Sequence, residues 1–411
     1  MGSWRKAYGQ FGAVALVLVI VAGCSNAGAT WPALPSSGKP LNSGGSVGSA
    51  APEASGVRVI LPAASQAAVS RASPSAAPRA TAGAVTVDQI TADYTYKDEL
   101  ITPIAHLYGT FLDDFVIVTI KNDNSSPVKV VVTSQITDYT DQATDTVSVD
   151  ANGSQEVRQN PRLTTTAIDG LNSEHQADLH VTVAYLDNGQ PRTVLDQTSE
   201  TLVTSRDDFP WSISGFTQQD NYDLIVAMVT PTDPSVEKLI RDAANYDPSG
   251  AMISGYESQG DYDGSVWQRL ADIWQSETTD FKLTYISTTI TFASGSSQRI
   301  RLPGEVLDTN SGNCIELTLL YASAVEALGM QPAIIIIPGH AYVAVRLDDT
   351  NDSYYFIETT MIGQAPFKDA AKEGNIEWTD AQPHVAAGET DYGWVDVATQ
   401  RKNGIVPIPW R

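Results

Sequence analysis

The chain has 411 residues, 42% of them hydrophobic and 18% charged, with a mean hydropathy of −0.14. That composition fills real cores in a soluble body. Its 48 acidic residues against 25 basic ones give a formal net charge of −23, a field that repels nucleic acid and anionic lipid surfaces because the clustered Lys and Arg that bind phosphate are missing.

The chain opens with the three parts of an export signal: basic Arg5 and Lys6, an apolar core from Gly12 to Val21, and a small-residue site, Val21-Ala22-Gly23-Cys24. The apolar run falls short of the roughly 20 residues that a spanning helix needs, so cleavage is expected before Cys24, making residues 1–23 a signal peptide. The site resembles the bacterial lipoprotein signal, with Val21 where leucine is commonest. That resemblance implies lipid on the Cys24 sulfur and an extracytoplasmic protein held to the membrane by that lipid rather than by charge.

Residues 24–84 are dominated by Ala, Ser, Gly and Pro. Such a segment cannot bury enough apolar surface to fold and is expected as a disordered tether, with a reach of about 40 Å by random-coil scaling. Val57 to Leu61 is an apolar island inside it, read as a transient contact rather than a strand.

Residues 85–210 change to strand patterning. Phe115 to Ile120 and Val128 to Val132 flank a polar turn from Asn122 to Pro127 and read as a hairpin. Leu179, Val181, Val183 and Tyr185 alternate with His180, Thr182 and Ala184, and Asn188-Gly189 then supplies a type I′ turn. Several such strands predict a β-sandwich, whose size and alternation resemble an immunoglobulin-like or fibronectin-like module. His175 and His180 lack further ligands at matching positions and read as surface histidines. The acidic stretches Asp261 to Gly264 and Asp348 to Asp352 lack the spaced ligands and closing glutamate of a calcium loop and read as solvated.

Residues 222–411 change register again. Thr232-Asp233-Pro234 starts a helix carrying Val236, Leu239, Ile240 and Ala243, and a second is expected from Ser265 to Trp274. The turn Asp308 to Asn313 leads into Cys314, after which Leu317, Leu320, Tyr321, Ala324, Val325 and Leu328 mark one helix face that Gly329 stops. Cys314 therefore sits at a helix N-terminus, where backbone N–H groups and the dipole favour a thiolate. The β-branched run Ala333 to Ile337 predicts a buried strand, Pro338-Gly339 a turn, and His340 to Val345 a second strand. Across the loop from Asp348 to Ser353, Tyr354 to Ile357 folds back as a hairpin that brings Glu358 near His340. Thiol, imidazole and carboxylate converge, as nucleophilic catalysis requires.

Gly312-Asn313-Cys314, Gly339-His340-Ala341 and the strand ending in Glu358 resemble the transglutaminase-like cysteine peptidase superfamily. The stretch from about 222 to 411 also resembles a transglutaminase-like region of some large bacterial helicase-like proteins, without a phosphate-binding loop and so without helicase function. The likeness implies an α+β, papain-like domain following the β-sandwich in a multidomain chain. It assigns Cys314 as nucleophile, His340 as general acid/base and Glu358 as orienting acid in place of the commoner aspartate, with Asp348 and Asp352 as spare acids in the loop. The Cys314 backbone N–H, helped by Gln298 or Asn313, is the expected oxyanion donor, and Glu316 is read as structural. No metal or organic cofactor is implied, and the expected substrates are proteins or peptides of the cell envelope. Hydrolysis, acyl transfer to an amine and deamidation all pass through the same acyl thioester, so the residues leave them open. A non-catalytic scaffold or peptide-binding module is the alternative of a different class.

Overall fold

The structure, a computed structural model, describes residues 57–58, 79–250, 255–256, 262–287, 297–348 and 352–409. The expected signal peptide, Cys24 and nearly all of the expected tether lie outside the described residues. The chain divides into residues 1–43 and 44–411, and every described residue belongs to the second unit. The fold is mixed: strands dominate up to Pro210, and helices alternate with strands thereafter.

The first part contains β1 (Ile90–Lys97), β2 (Val116–Asn122), β3 (Val128–Ile136), β4 (Ala143–Val149), β5 (Gly153–Gln159), β6 (His175–Asp187) and β7 (Gln190–Val203). One sheet runs Arg79–Thr81, β1, β2, β5, with Val85–Val87 also pairing β1; the other runs Glu99–Leu100, β7, β6, β3, β4. Alternate residues of both sheets meet in one core: Ile90, Tyr94, Val118 and Ile120 from the first, Val130, Val132, Val181 and Val183 from the second. A hydrogen bond of 2.8 Å between the Tyr94 and Ser199 hydroxyls links the two sheets. The β6–β7 hairpin turns as its sequence predicts, with Asn188 and Gly189 both at positive φ, 51° and 81°.

β2 and β3 do not form the expected hairpin. β2 pairs with β1 and β5, whereas β3 pairs with β4 and β6. The chain between them turns a corner from one sheet to the other. Buried Asn122 holds that corner, its Nδ2 donating to the carbonyls of Ser126, Val149 and Asp150 at 2.9, 3.2 and 3.0 Å. Alternation specifies which face is buried and not which neighbour is hydrogen-bonded, so strands facing each other across a core read like strands paired side by side.

Regular structure also begins earlier than residue 85. Arg79–Thr81 pairs with Thr95, Tyr96 and Lys97, and Val57–Arg58, expected as a transient contact, pairs antiparallel with Ser353 and Tyr354.

The second part contains α1 (Pro234–Ala243), α2 (Tyr262–Thr279), α3 (Pro303–Thr309), α4 (Cys314–Ala327), β8 (Pro332–Ile337), β9 (His340–Arg346), β10 (Ser353–Ile357), α5 (Phe367–Ala387) and β11 (Gly393–Asp396). Asp233 caps α1 by accepting from Ser235 N at 2.7 Å. α2 extends past the expected Trp274 because its next turn buries polar Ser276 and Glu277, where apolar periodicity gives no signal. The sheet runs Val57–Arg58, β10, β9, β8, β11, with every pairing antiparallel. Ile334, Ile336, Ala341 and Val343 share the core of α4, while Ile335, Tyr342, Ala344 and Phe356 pack with Trp378, Ala381 and Val385 of α5. Helices on both faces explain the unbroken apolar run of β8.

Gly374 sets how closely α5 approaches β10. A Cβ there would lie 2.6 Å from the Phe356 carbonyl carbon and 2.7 Å from Ile357 N, so backbone meets backbone. Alanine is the better helix former by about 1 kcal/mol, yet Gly374→Ala is expected to destabilise the protein by about 1–3 kcal/mol because the helix must move off the sheet. A lower urea midpoint at unchanged m would show it; a raised midpoint would mean the helix approaches less closely.

Candidate functional site

The helix that presents Cys314 is fixed at its start by a capping box. Asn313 Oδ1 accepts from Glu316 N, and Glu316 Oε2 accepts from Asn313 N, both at 3.0 Å. The Glu316 carboxylate is buried and also accepts from Arg301 N and Nε, each at 3.0 Å, and from Arg301 Nη2 at 2.7 Å. Arg301 in turn donates to Thr309 Oγ1 at 2.7 Å and to the Ser311 carbonyl at 3.0 Å. One turn into α4, Thr318 Oγ1 donates to the Ala341 carbonyl at 3.1 Å and lies 3.1 Å from Thr359 Oγ1. The helix that begins at Cys314 is thus tied to the strand that bears His340 and to the segment that bears Glu358.

His340 begins β9 directly after a turn whose Gly339 has φ +73°. Its Nε2 lies 2.6 Å from Glu358 Oε2. Cys314 is near enough to the ring to help raise the imidazole's pKa. Glu358 is 3% exposed, and its other oxygen accepts from both the N–H and the hydroxyl of Thr360. The glutamate reaches the imidazole because it follows the end of β10 as the cap of a short 3-10 turn, Thr359–Met361.

Electrostatics follow from this packing. Burial alone would push the His340 imidazole down, but hydrogen bonds to Cys314 and Glu358, together with their negative charge, raise it to about 11. Burial would raise Glu358, and the bond to His340 with its charge, helped by Glu377 and Thr360, holds it below the ordinary carboxylate range. The His340 contribution to stability is complete below its ordinary value of 6.5 and is lost as pH rises to about 11. The Glu358 contribution is present above the ordinary value of 4.5 and is lost as pH falls through its lowered value. The charged pair is therefore stable at neutral pH. A thiolate beside an imidazolium oriented by a carboxylate can attack a carbonyl, and the imidazolium can protonate the leaving amine.

The sequence-predicted Cys314, His340 and Glu358 are brought together. Asp352 instead pairs with Arg346 at 2.7 Å, and most of the loop before it lies outside the described residues. His180 bonds Asp196 at 2.8 Å at the surface, and His175 approaches Ser173. Of the expected oxyanion donors, Asn313 uses its side-chain oxygen as the helix cap. Gln298 Oε1 accepts from Trp211 Nε1 at 3.1 Å, while its buried Nε2 has no partner. Because an indole N–H can only donate, it fixes the amide with its NH₂ group turned away. Cys314 itself is fully buried. A cavity of about 220 Å³, lined by Lys97, Tyr108, Asp113, Ile213 and Phe216 among others, includes none of these side chains.

Sequence reasoning missed Glu377, on α5, whose Oε2 lies 3.7 Å from His340 Nε2. The spacing of Phe367, Ala370, Ala371, Gly374, Trp378, Ala381 and Val385 was a legible signal for the helix, but nothing in it singles out that acid. Among the described residues, His340, Glu358 and Glu377 form the one group that offers three metal-ligating atoms within 4.8 Å of one another. The 2.6 Å separation of His340 and Glu358 is shorter than the roughly 3.3 Å between two ligands of a tetrahedral zinc, so a shared proton fits between them better than an ion does. Among the described residues no helix is long and apolar enough to cross a membrane.

No family model matches the chain, and no curated protein sequence matches it. Solved structures resemble parts of it at low similarity. A protein from Archaeoglobus fulgidus is 8% identical with a TM-score of 0.19, over 31% of this chain and 94% of its own. A protein described as late embryogenesis abundant is 11% identical with a TM-score of 0.18, over 32% and 73%. Bacteroides uniformis beta-glucuronidase 2 is 10% identical with a TM-score of 0.15, over 50% and 26%. Scores this low carry no argument about fold or function.

Proposed function

We propose that the chain is a lipid-anchored, extracytoplasmic thiol enzyme of the transglutaminase-like kind, acting on amide or peptide bonds of envelope proteins or peptides. The observation that carries this reading is the 2.6 Å bond from His340 to Glu358, on an imidazole whose pKa the nearby helix-start thiol Cys314 helps to raise. On this reading, Cys314 and His340 react as a thiolate–imidazolium pair: the thiolate sulfur adds to the carbonyl carbon and the imidazolium gives its proton to the leaving nitrogen. The acyl thioester is then resolved by water, or by an amine, with His340 taking the proton back. Hydrolysis is favoured, with acyl transfer and deamidation as variants of the same chemistry. The Cys314 backbone N–H and Gln298 Nε2 are the donors offered to the oxyanion. Residues 222–411 then correspond to a papain-like domain and the two-sheet region to an immunoglobulin-like sandwich; helices on both faces of one sheet and the corner between the other two support those assignments. Anchoring rests on the lipoprotein-like site at Cys24.

The complete burial of Cys314 favours a second reading, a non-catalytic scaffold or peptide-binding module. The full chain carrying Cys24→Ser has one thiol and separates the two. Alkylation by iodoacetamide is followed against pH with and without His340→Ala. An activated pair predicts that the half-maximal pH of alkylation rises by more than about one unit in His340→Ala, because the thiolate loses its counter-ion. A profile indifferent to His340 would end the enzyme reading and leave the scaffold.

A further inference from the structure

We propose that Glu377 is a positioning residue of this site: from α5 it donates a carboxyl proton to Glu358, and that bond keeps Glu358 an anion turned toward His340. The inference rests on the Cys314–His340–Glu358 reading above. Its geometry begins at Gly374, which lets α5 lie against the backbone of Phe356 and Ile357 and so delivers the next turn of the helix to the end of β10. Glu377 Oε2 is there buried, without a donor aimed at it, 3.7 Å from His340 Nε2. A carboxylate oxygen of Glu377, one of Glu358 and a ring nitrogen of His340 all lie within 4.8 Å of one another.

Two carboxyl groups can share a hydrogen bond only if one of them carries the proton. Glu358 already accepts from His340 and twice from Thr360, so the charge settles on Glu358 and the proton on Glu377. The groups acting on Glu377 agree. Glu358 and Glu373 oppose its ionisation and His340 alone favours it, while Tyr342, on the same strand face as His340, senses Glu377, Glu358 and Asp380 and offers no positive charge. Burial and the Glu358 charge lift Glu377 to about 9, so the shared proton is in place at neutral pH and is lost above that value. Glutamine keeps a donor at this position but cannot ionise; alanine offers neither.

The test uses the full chain with Cys24→Ser and ¹³C-carboxyl-labelled glutamate, comparing Glu377, Glu377→Gln and Glu377→Ala. NMR should show one carboxyl titrating near pH 9 that vanishes in both variants. The Glu358 midpoint should rise by about one pH unit in Glu377→Ala, where its donor is gone, and hold in Glu377→Gln. The acid arm of Cys314 alkylation should move with it in the alanine variant. Absence of a carboxyl that titrates above pH 7 and vanishes in both variants, or the same Glu358 midpoint in both variants, would overturn the proposal; the buried Glu277, also raised, persists in both. Alkylation indifferent to His340 would end the triad reading and leave the carboxyl titrations to decide the role of Glu377 separately.

Discussion

Cys314→Ala is expected to abolish acyl-enzyme formation while leaving the fold intact. The measurement needs no knowledge of the natural substrate. p-Nitrophenyl acetate is an activated acyl donor, and a thiol enzyme should release a burst of nitrophenol while gaining one acetyl group at Cys314, readable by mass. Without the sulfur there is no atom to carry the acyl group, and loss of a nucleophile acting within such a constellation costs about 10⁴-fold or more in rate. The structural cost is small by comparison, because alanine retains the Cβ and removes one buried sulfur, leaving a void of less than a methylene pair. The capping box of Asn313 and Glu316 does not use the thiol, so the helix start survives. Adding a primary amine during turnover then divides the reaction: faster release of enzyme with an acetylated amine as product marks acyl transfer, and an unchanged rate marks hydrolysis. A burst that persists in Cys314→Ala would sink the assignment of the nucleophile. Acetylation at His340 would be the first place to look in that event.

Much of the site was legible because its residues sit at element boundaries that sequence marks well. The turn Asp308 to Asn313 before an apolar-periodic run predicts a helix start at Cys314, Gly329 a stop, and Pro338-Gly339 a turn, and these place Cys314 and His340 without tertiary information. The approach of Glu358 followed from hairpin logic, with Val343 facing Ile357 and Arg346 facing Tyr354. What sequence could not supply was the choice among partners. The β2–β3 hairpin was lost because alternation is silent about whether a neighbour lies beside a strand or across a core. Glu377 was missed because its role depends on a helix packed through one glycine, and Gly374 reads as a weak point in a helix until the sheet beneath it is seen. The pairing of Val57–Arg58 with β10 joins residues about 300 apart, and no local pattern announces such a contact.

The clamp behind the nucleophile yields the largest expected stability effect. Arg301→Ala removes the two side-chain donors of Glu316, Nε and Nη2, but leaves the backbone donors of Arg301 and Asn313 in place. A carboxylate that is 3% exposed is then left without its counter-ion. Breaking a buried ion pair by deleting one partner costs about 3–5 kcal/mol. The Arg301 side chain retains 22% exposure, which places the expected loss near the low end, at about 3 kcal/mol. Arg301→Ala with Glu316→Gln should recover part of that loss, since no buried charge remains and the amide oxygen can still accept from Asn313 N at the cap, although Arg301 N then loses its acceptor. The two should differ in function as well. With the cap retained but its charge removed, the double variant keeps the helix start and should regain nitrophenol burst amplitude relative to Arg301→Ala. Urea midpoints and burst amplitudes measured on the four proteins of this cycle decide the matter. A single-variant loss below about 1 kcal/mol, the range of a surface pair, would mean that Glu316 is held by its backbone donors alone and that Arg301 has no part in presenting Cys314.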